Sequence, residues 1–397
     1  MQAIIPASRV ENIRYAIREV VGLANEVKAS GMDMCFLNIG DPNIFDFQPP
    51  KHMIEAVYKA MLENRNGYSP SPGIEEARAA VRRQAERSKI RNIRDILITQ
   101  GASEAIELCL TGLLEPGQNV LLPQPGYPLY SSVLAKLNAE VNPYYLNEDD
   151  DWNLDIADIE SRINEKTRAI VVINPNNPTG AIYPKETLMQ IIELARRHNL
   201  ILFSDEIYDK LVLDGIEYTS MASLCDDVPI VTFNGLSKSY VVPGFRIGWA
   251  IISGPAELLA HYIEGVNKMV RARLSANHPV QYAVKAALEG PQDHIPRMLA
   301  ALKKRRDITV SMLNDMEEFH CVPPRGAFYA YPSLFIPDKD EDFVKDLIRE
   351  TGVVTVHGSG FGQKPGTKHL RIVFLPDEKL LERAYGKIRN FVRKRYH

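Results

Sequence analysis

Hydrophobic residues in the middle of the chain form short continuous runs instead of alternating with polar residues. Five such runs cover 119–123, 168–174, 200–204, 229–234 and 247–252. Continuous apolar character is typical of strands that are buried on both faces of a parallel sheet. The segment 184–199 has helical periodicity, and Pro184 suits the first turn of a helix. This alternation predicts an open α/β sheet covered by helices.

The pattern changes after about Pro291. Segment 295–316 predicts a long helix, and 377–396 predicts a helix that closes the chain. Between them, 327–331 and 369–374 are short apolar segments that predict strands. Two long helices with a few short strands indicate a smaller α+β lobe.

The start of the chain carries a helix signal of its own. Ser8 and Glu11 have the spacing of a capping box, and Gly31 suits the end of the helix that they would open. A length of 397 residues accommodates a large and a small lobe. We therefore predict an N-terminal arm with part of the small domain over 1–47, a large domain over 48–290, and a small C-terminal domain over 291–397.

Composition narrows the classes of function. The net charge of −3 and the lack of any Lys/Arg-rich run argue against nucleic acid as a partner. The apolar runs are too short to cross a bilayer, and the first residues lack a secretory pattern. The four cysteines form no CxxC pair, and the nine histidines form no HExxH motif. We therefore expect a cytoplasmic protein without a membrane span or a metal site.

The most informative segment is Asn234–Trp249, which contains Lys238 and Arg246 among serines and glycines. A lysine that forms a Schiff base needs a fixed position and a depressed pKa. A nearby arginine would hold a phosphate as a bidentate donor. The alternative is a surface lysine and a structural arginine in a loop.

Three further motifs follow predicted strands. Asn174–Gly180, with Asn177 inside it, is rich in turn residues, so a simple turn is the alternative to a functional loop. Asp205 and Tyr208 follow an apolar strand, where a carboxylate often caps the next helix. Ser103 precedes a helical run, and it would act either as an N-cap or as part of a phosphate cradle at a helix N-terminus.

Taken together, these motifs resemble those of the class I/II aminotransferases, which depend on pyridoxal 5'-phosphate. The resemblance runs from about Ile39 to Phe374. It implies the PLP-dependent transferase type I fold, with a mainly parallel, seven-stranded type of sheet flanked by helices in the large domain. It also implies a homodimer with shared active sites.

The resemblance assigns most of the cofactor contacts. Lys238 would carry the cofactor and move the proton, Asp205 would face the pyridine nitrogen, and Asn177 and Tyr208 would face the phenolic oxygen. Phosphate contacts would come from the backbone amides of Ala102 and Ser103, from Ser237 and Arg246, and, across the dimer, from Tyr68. Tyr127 would stack on the ring, with a core tyrosine as the alternative and Tyr130 as a weaker candidate.

Substrate contacts follow from the same resemblance. Arg371, in an otherwise apolar strand, matches the arginine that binds the substrate α-carboxylate, and Gly40 matches the backbone beside it. The position of the arginine that holds a distal carboxylate in aspartate aminotransferases falls on Ala272, between two arginines. That departure leaves Arg18, with Tyr15, to serve the glutamate side chain; the alternative is a solvated helix arginine.

The chain departs from the family at Gly235, where many relatives have a phosphate-binding serine, and Ser237 or a backbone amide would compensate. The segments 11–18, 205–210 and 232–238 look most like those of bacterial glutamate–pyruvate (alanine) aminotransferases. The implied reaction is L-alanine + 2-oxoglutarate = pyruvate + L-glutamate. The open alternatives are an aspartate, aromatic or branched-chain aminotransferase, a C–S or C–C lyase on the same fold, and a regulatory protein with an inactive site.

Overall fold

The computed structural model describes residues 3–13 and 16–397, without the side chains of residues 12 and 17–19. Tyr15 therefore lies outside the described residues. Arg18 lies within a helix, but its side chain is outside them too. The roles that the sequence suggests for both residues remain predictions.

The described residues form helices and strands with the following bounds. The helices are α1 Ala16–Ala29, α2 Lys51–Leu62, α3 Glu75–Arg87, α4 Ala102–Thr111, α5 Leu129–Leu137, α6 Ile156–Arg162, α7 Lys185–Arg197, α8 Ala256–Ala272, α9 Tyr282–Glu289, α10 His294–Asn314, α11 Asp340–Thr351 and α12 Glu378–Tyr396. The strands are β1 Cys35–Phe36, β2 Ile93–Thr99, β3 Asn119–Gln124, β4 Glu140–Asn147, β5 Asn153–Leu154, β6 Thr167–Ile173, β7 Ile201–Asp205, β8 Ile230–Gly235, β9 Gly248–Ser253, β10 Phe319–His320, β11 Tyr329–Ala330, β12 Ser333–Leu334, β13 Val353–Val354, β14 Val356–His357 and β15 Leu370–Val373.

A sheet of eight strands forms the centre of the large lobe, in the order β2-β9-β8-β7-β6-β3-β4-β5. The five strands β8, β7, β6, β3 and β4 run parallel to one another. β9 is antiparallel to both of its neighbours, and the two-residue β5 adds an antiparallel edge. The predicted α/β fold with a mainly parallel sheet is confirmed, and β5 is the strand beyond the expected seven.

The sheet is buried on both faces, as the continuous apolar runs predict. One hydrophobic cluster includes Ile170, Val172 and Leu202, and a second includes Val171 and Phe203. Successive residues of one strand therefore enter different clusters, because side chains alternate across a strand. Helices cover both faces, so the strand ends are where polar side chains gather.

The C-terminal lobe has three small sheets instead of one large one. β11, β15 and β14 form an antiparallel sheet, and β10 pairs with β12. β1, from the N-terminal part of the chain, pairs in parallel with β13. This pairing supports our proposal that residues 1–47 belong partly to the small domain, with boundaries near 48 and 291.

The N-terminal capping box is the prediction that the structure contradicts. Ser8–Asn12 forms a separate 3-10 turn whose N-cap is Ala7, and no side chain caps it. Ile13 is extended, so the turn at Ser8 does not continue directly into a helix, and the described part of α1 is Ala16–Ala29. Its end agrees better with expectation, because Gly31 has a φ of 90° shortly after Ala29.

Candidate active site

A cavity of about 610 Å³ lies at the carboxyl ends of the parallel strands. This is where ligands bind in open α/β sheets, because the loops after the strands diverge there. The cavity brings together most of the predicted site residues: Gly40, Ala102, Ser103, Tyr127, Asn177, Asp205, Tyr208, Ser237, Lys238, Arg246 and Arg371. Residues from the N-terminal segment, the large lobe and the small lobe therefore share one site.

Lys238 lies at the cavity wall shortly after β8, and its Nζ donates to the carbonyl oxygen of Gly40 at 2.8 Å. The pKa of this amine is lowered to about 8, mainly by burial and also by the charges of Arg371 and Arg246, while Asp41 and Asp205 oppose the shift. An amine with such a pKa is partly neutral near pH 7, which suits a nucleophile. The interpretation as a solvated surface lysine is wrong.

Arg246 lies beside the N-terminus of α4. Its Nη2 donates to the Ser103 hydroxyl at 3.0 Å and to the carbonyl oxygen of Gln100 at 3.3 Å. Gly101, the N-cap of α4, has a φ of 78°, and a Cβ there would lie 2.5 Å from the guanidinium. The cap is thus Gly101 and not Ser103, whose hydroxyl is left to hold the arginine. The backbone amides at the N-terminus of α4 and a guanidinium converge here, as an anion requires.

Asp205 ends β7 and is 3% exposed. Its Oδ2 accepts a hydrogen bond from the Tyr130 hydroxyl at 3.0 Å, and its Oδ1 accepts one from the amide of Ile207 at 3.3 Å. Burial raises the pKa of Asp205 to about 6, while these two bonds and Lys238 oppose that rise. No helix follows directly, because the next residues form a turn. The helix-cap interpretation is therefore wrong.

Asn177 and Tyr208 bring an amide and a phenol to the cavity. Asn177 is buried, and its Oδ1 has no hydrogen-bond partner in the part of the chain that the structure describes. The amide therefore has hydrogen-bonding capacity left for a ligand. The Tyr208 hydroxyl lies 2.9 Å from that of Tyr329, and burial raises its pKa well above the usual value.

Arg371 projects into the site from β15 and is only 1% exposed. One Nη donates to the carbonyl oxygen of Asn38, and the guanidinium lies 4.9 Å from the ring centroid of Tyr329 and 4.8 Å from that of Phe361. Planar contacts on a buried guanidinium fix its orientation. A carboxylate entering the cavity would meet a preoriented cation.

One predicted residue of the described part of the chain is not brought into the cavity. Tyr68 is that residue, since it is 86% exposed and does not line the cavity. Tyr15 and the side chain of Arg18 lie outside the described residues. Of the two arginines beside Ala272, Arg273 packs inward, donating to the carbonyl oxygen of Ile98 at 2.8 Å. A Glu104 carboxylate lies 3.5 Å from it.

Sequence reasoning missed Tyr329, which lines the cavity, and underrated Tyr130, which contacts Asp205. The signal for Tyr329 was its position in the predicted strand 327–331, where side chains alternate in direction. For Tyr130 the signal was its place beside Tyr127. Within the described residues, no group of His, Cys, Asp and Glu has an arrangement that could hold a metal ion, and no helix there is long and apolar enough to cross a membrane.

Comparisons with known proteins agree with this geometry. The profile of the family described as Aminotransferase class I and II matches residues 33–388. The chain is 39% identical to the alanine aminotransferase of Mycobacterium tuberculosis, over 98% of this chain and 93% of that protein. It is 38% identical to the glutamate-pyruvate aminotransferase AlaA of Escherichia coli K12, over 99% and 98%.

The fold comparison leads to the same group. A solved structure of the alanine aminotransferase from Pyrococcus furiosus superposes with a TM-score of 0.95, at 39% identity, over 98% of this chain and all of that one. The chain therefore belongs to the class I and II aminotransferases.

Proposed function

We propose, from its membership of this aminotransferase family, that the protein transfers the amino group of L-alanine to 2-oxoglutarate, giving pyruvate and L-glutamate, with pyridoxal 5'-phosphate on Lys238. One observation carries the proposal: a buried amine of lowered pKa lies between an anion cradle at α4 and a preoriented Arg371. The relatives named for alanine and for glutamate and pyruvate support the choice of substrates.

The cavity suits pyridoxal phosphate in its donor set. The N-terminus of α4 and Arg246 would hold the phosphate, and the lack of side chains at Gly101 and Gly248 keeps that cradle open, since a Cβ on Gly248 would lie 2.3 Å from the amide of Ala102. Ser237, buried beside Lys238, would add a donor in place of the serine that Gly235 replaces. These contacts position the cofactor's reactive end toward Lys238.

The ring contacts are equally complementary. Asp205 would keep a proton on the pyridine nitrogen, Asn177 and Tyr208 would contact the phenolic oxygen, and Tyr127 would stack on one face. When bound, the cofactor supplies an electron sink for the pair of electrons left at Cα. A protonated nitrogen would also favour the ionised form of Asp205, against the burial that raises its pKa to about 6 in this structure.

The remaining residues would handle the substrate and its proton. Arg371 would bind the α-carboxylate as a bidentate donor, with the backbone of Gly40 beside it. The Lys238 amine would act as a general base when it takes a proton from Cα. It would then act as a general acid when it returns a proton to the carbon on the cofactor side. Its pKa of about 8 allows both states near neutral pH.

Addition of amino acids to the cofactor-loaded protein tests the substrate assignment. L-alanine and L-glutamate should each change the visible absorbance of the bound cofactor without any second substrate, and L-aspartate should do so far less. An aminotransferase stops after one turnover under these conditions, whereas a lyase continues to release product. Continuous product release, or a preference for aspartate, would contradict the proposal.

Arg18 is our candidate for holding the distal carboxylate of glutamate. Arg273 donates one hydrogen bond to Ile98 and lies 3.5 Å from Glu104, which already partly balances its charge. An arginine fixed in the pocket would be left buried and unpaired whenever alanine binds, which is costly. Arg18→Ala should therefore lower kcat/KM for glutamate and 2-oxoglutarate about ten- to a hundredfold and spare alanine and pyruvate. An equal loss for both pairs would exclude Arg18.

The proposal includes a homodimer in the cytoplasm. Ile54, Tyr58, Met61 and Leu62 are 46–69% exposed and share one face of α2, where a second copy would cover them. Tyr68 would then reach the phosphate of the partner. Mixing Tyr68→Ala with Lys238→Ala chains should restore activity, because the mixed dimer has one intact site; an active monomer would exclude the proposal. The four free cysteines support a reducing compartment.

A further inference from the structure

Tyr329 contacts three groups that we assign to the site. It is 2% exposed and lies on β11 of the small lobe. Its hydroxyl lies 2.9 Å from that of Tyr208, and its ring lies under the guanidinium of Arg371. A Cβ on Gly40 would lie 2.2 Å from the same hydroxyl. The residue therefore bridges the two lobes and the N-terminal segment.

Only one of the two phenols can be the donor in the hydrogen bond between them. A hydroxyl donates one hydrogen bond and accepts up to two. If Tyr208 donates into the cavity, the bond at 2.9 Å must run from Tyr329 to Tyr208. The rings meet edge to face, with centroids 5.7 Å apart and planes at 87°. This edge-to-face contact favours the observed orientation of the two rings.

We propose that Tyr329 is a positioning residue, whose hydroxyl donates to Tyr208 and thereby directs the Tyr208 hydroxyl to donate to the phenolic oxygen of the cofactor. The ring has a separate task in the same proposal: its face orients Arg371 for the substrate carboxylate. The Tyr329 side chain thus orients both Tyr208, the donor to the cofactor, and Arg371, the cation that binds the substrate. The inference rests on the proposed function, because it requires the cofactor in this cavity.

Removing only the hydroxyl separates the two tasks. Tyr329→Phe keeps the ring against Arg371 and deletes the donor to Tyr208. Donation to a phenolate oxygen stabilises the deprotonated form of the bound chromophore, so weaker donation should raise the pKa that its absorbance reports. One neutral hydrogen bond corresponds to an upward shift of about 0.4 to 1 pH unit.

The shift should depend on Tyr208. Tyr208→Phe should itself raise the chromophore's pKa, and Tyr329→Phe should add nothing further in that background, because it acts through the same hydroxyl. Other charged or titratable groups stay unchanged in these variants. Tyr127 and Asp205 act on Tyr208, and Arg371 lies over the Tyr329 ring; Asp41 and Arg246 act on Lys238. Their common contribution cancels in the comparison.

Tyr385→Phe is the matched control. It deletes another fully buried phenol, which donates to the Thr309 hydroxyl at 2.9 Å in the core of the small lobe. Tyr385→Phe should leave the chromophore's pKa unchanged even if it lowers the unfolding temperature. A Tyr329→Phe protein that unfolds like the control but shows the shift supports positioning over mere packing.

Two results would overturn the inference. One is a Tyr329→Phe holoenzyme whose chromophore titrates like the wild type, and the other is a double variant in which the two shifts add. Both need a chromophore fixed on Lys238, which borohydride reduction and peptide mapping establish beforehand. Lack of that chromophore in the wild type would instead refute the proposed function, so the two failures are distinguishable.

Discussion

Asp205 and Glu206 are consecutive carboxylic acids at the end of β7, each 3% exposed, yet they belong to different parts of the molecule. Asp205 lines the cavity of Lys238, whereas Glu206 lines a separate cavity of about 260 Å³. Their side chains leave the backbone in opposite directions because successive residues of an extended chain alternate. Two equally buried carboxylates therefore have different surroundings: Asp205 faces a ligand site, and Glu206 has a structural environment.

The hydrogen bonds around the two groups differ more than their burial does. The Oε1 of Glu206 accepts from the hydroxyls of Ser204 and Ser220, at 2.8 and 2.9 Å, and from the amide of Met221 at 3.1 Å. These bonds tie the segment after β7 to the strand, as a structural anchor does. Asp205 has one phenol and one turn amide, and its remaining capacity faces the cavity.

Burial raises both pKa values, to about 6 for Asp205 and to about 7 for Glu206, where nearby Asp209 also contributes. A perturbed pKa therefore does not by itself identify the functional carboxylate. What separates the two is that Asp205 shares its cavity with Lys238, Arg246 and Arg371, whereas Glu206 lines a different cavity. A functional role can therefore be assigned to a buried carboxylate only when its neighbours and cavity are considered together with its pKa.

The largest effect should come from neutralising each carboxylate in turn. Asp205→Asn should lower turnover about 10²- to 10³-fold, because a neutral amide cannot hold a proton on the cofactor's ring nitrogen. Glu206→Gln deletes the same charge one residue away and should leave turnover close to wild type. Both variants should retain the cofactor when measured by absorbance. Equal losses of turnover in the two variants would show that the pair acts as one structural unit.

A smaller effect should appear in stability and belong to Glu206. Its pKa in the folded state, about 7, exceeds the ordinary value of 4.5. The associated stability is thus fully present below pH 4.5 and is lost as pH rises through 7. Ionisation of Glu206 should lower the free energy of unfolding by at most about 3 kcal/mol once the pH is above its folded-state pKa.

Glu206→Gln is the test, because its side chain stays neutral at every pH. Between pH 5 and 8 the wild type should lose free energy of unfolding relative to the variant, when both are measured by denaturant titration. Asp205 and Lys238 titrate in both proteins and cancel in the difference. A constant difference between the two across this range would contradict the raised pKa.

Asp205 and Glu206 also show which features of the protein could be predicted from the sequence and which could not. The apolar runs predicted β3, β6, β7, β8 and β9 to within about a residue at each end, since burial on both faces leaves a local signal. Strand ends likewise indicated where polar groups would gather. Nothing local distinguished Asp205 from Glu206, and only the resemblance to a family chose between them.

Other features depend on contacts between distant parts of the chain. Gly40 meets Lys238, and Tyr329 meets Tyr208, across long stretches of sequence. Two-residue strands such as β1 and β13 carry no periodicity, because their pairing is decided by the packing of the lobes. The start of α1 was misplaced because an extended Ile13 overrides the helical pattern after Ser8.

The smallest effect concerns the partner of Asp205. Tyr130→Phe removes the donor to Oδ2, while the Ile207 amide and the charge of Lys238 remain. Because the lost bond lowers the pKa of Asp205, its removal should raise that pKa and favour the protonated acid. Turnover near pH 7 should fall roughly fivefold, the equivalent of about 1 kcal/mol. The loss should grow as the pH falls toward 6, where more of the variant's Asp205 is protonated.

Tyr144→Phe provides the control, since it deletes another fully buried phenol of the large lobe, bonded to the carbonyl oxygen of Val171 at 2.7 Å. Its pH profile of kcat/KM should match the wild type. In an Asp205→Asn background, Tyr130→Phe should change turnover little, because the group that it tunes no longer ionises. A full fivefold loss in that background would mean that Tyr130 acts by packing and not through the carboxylate, and the contrast with Glu206 would then rest on the cavity alone.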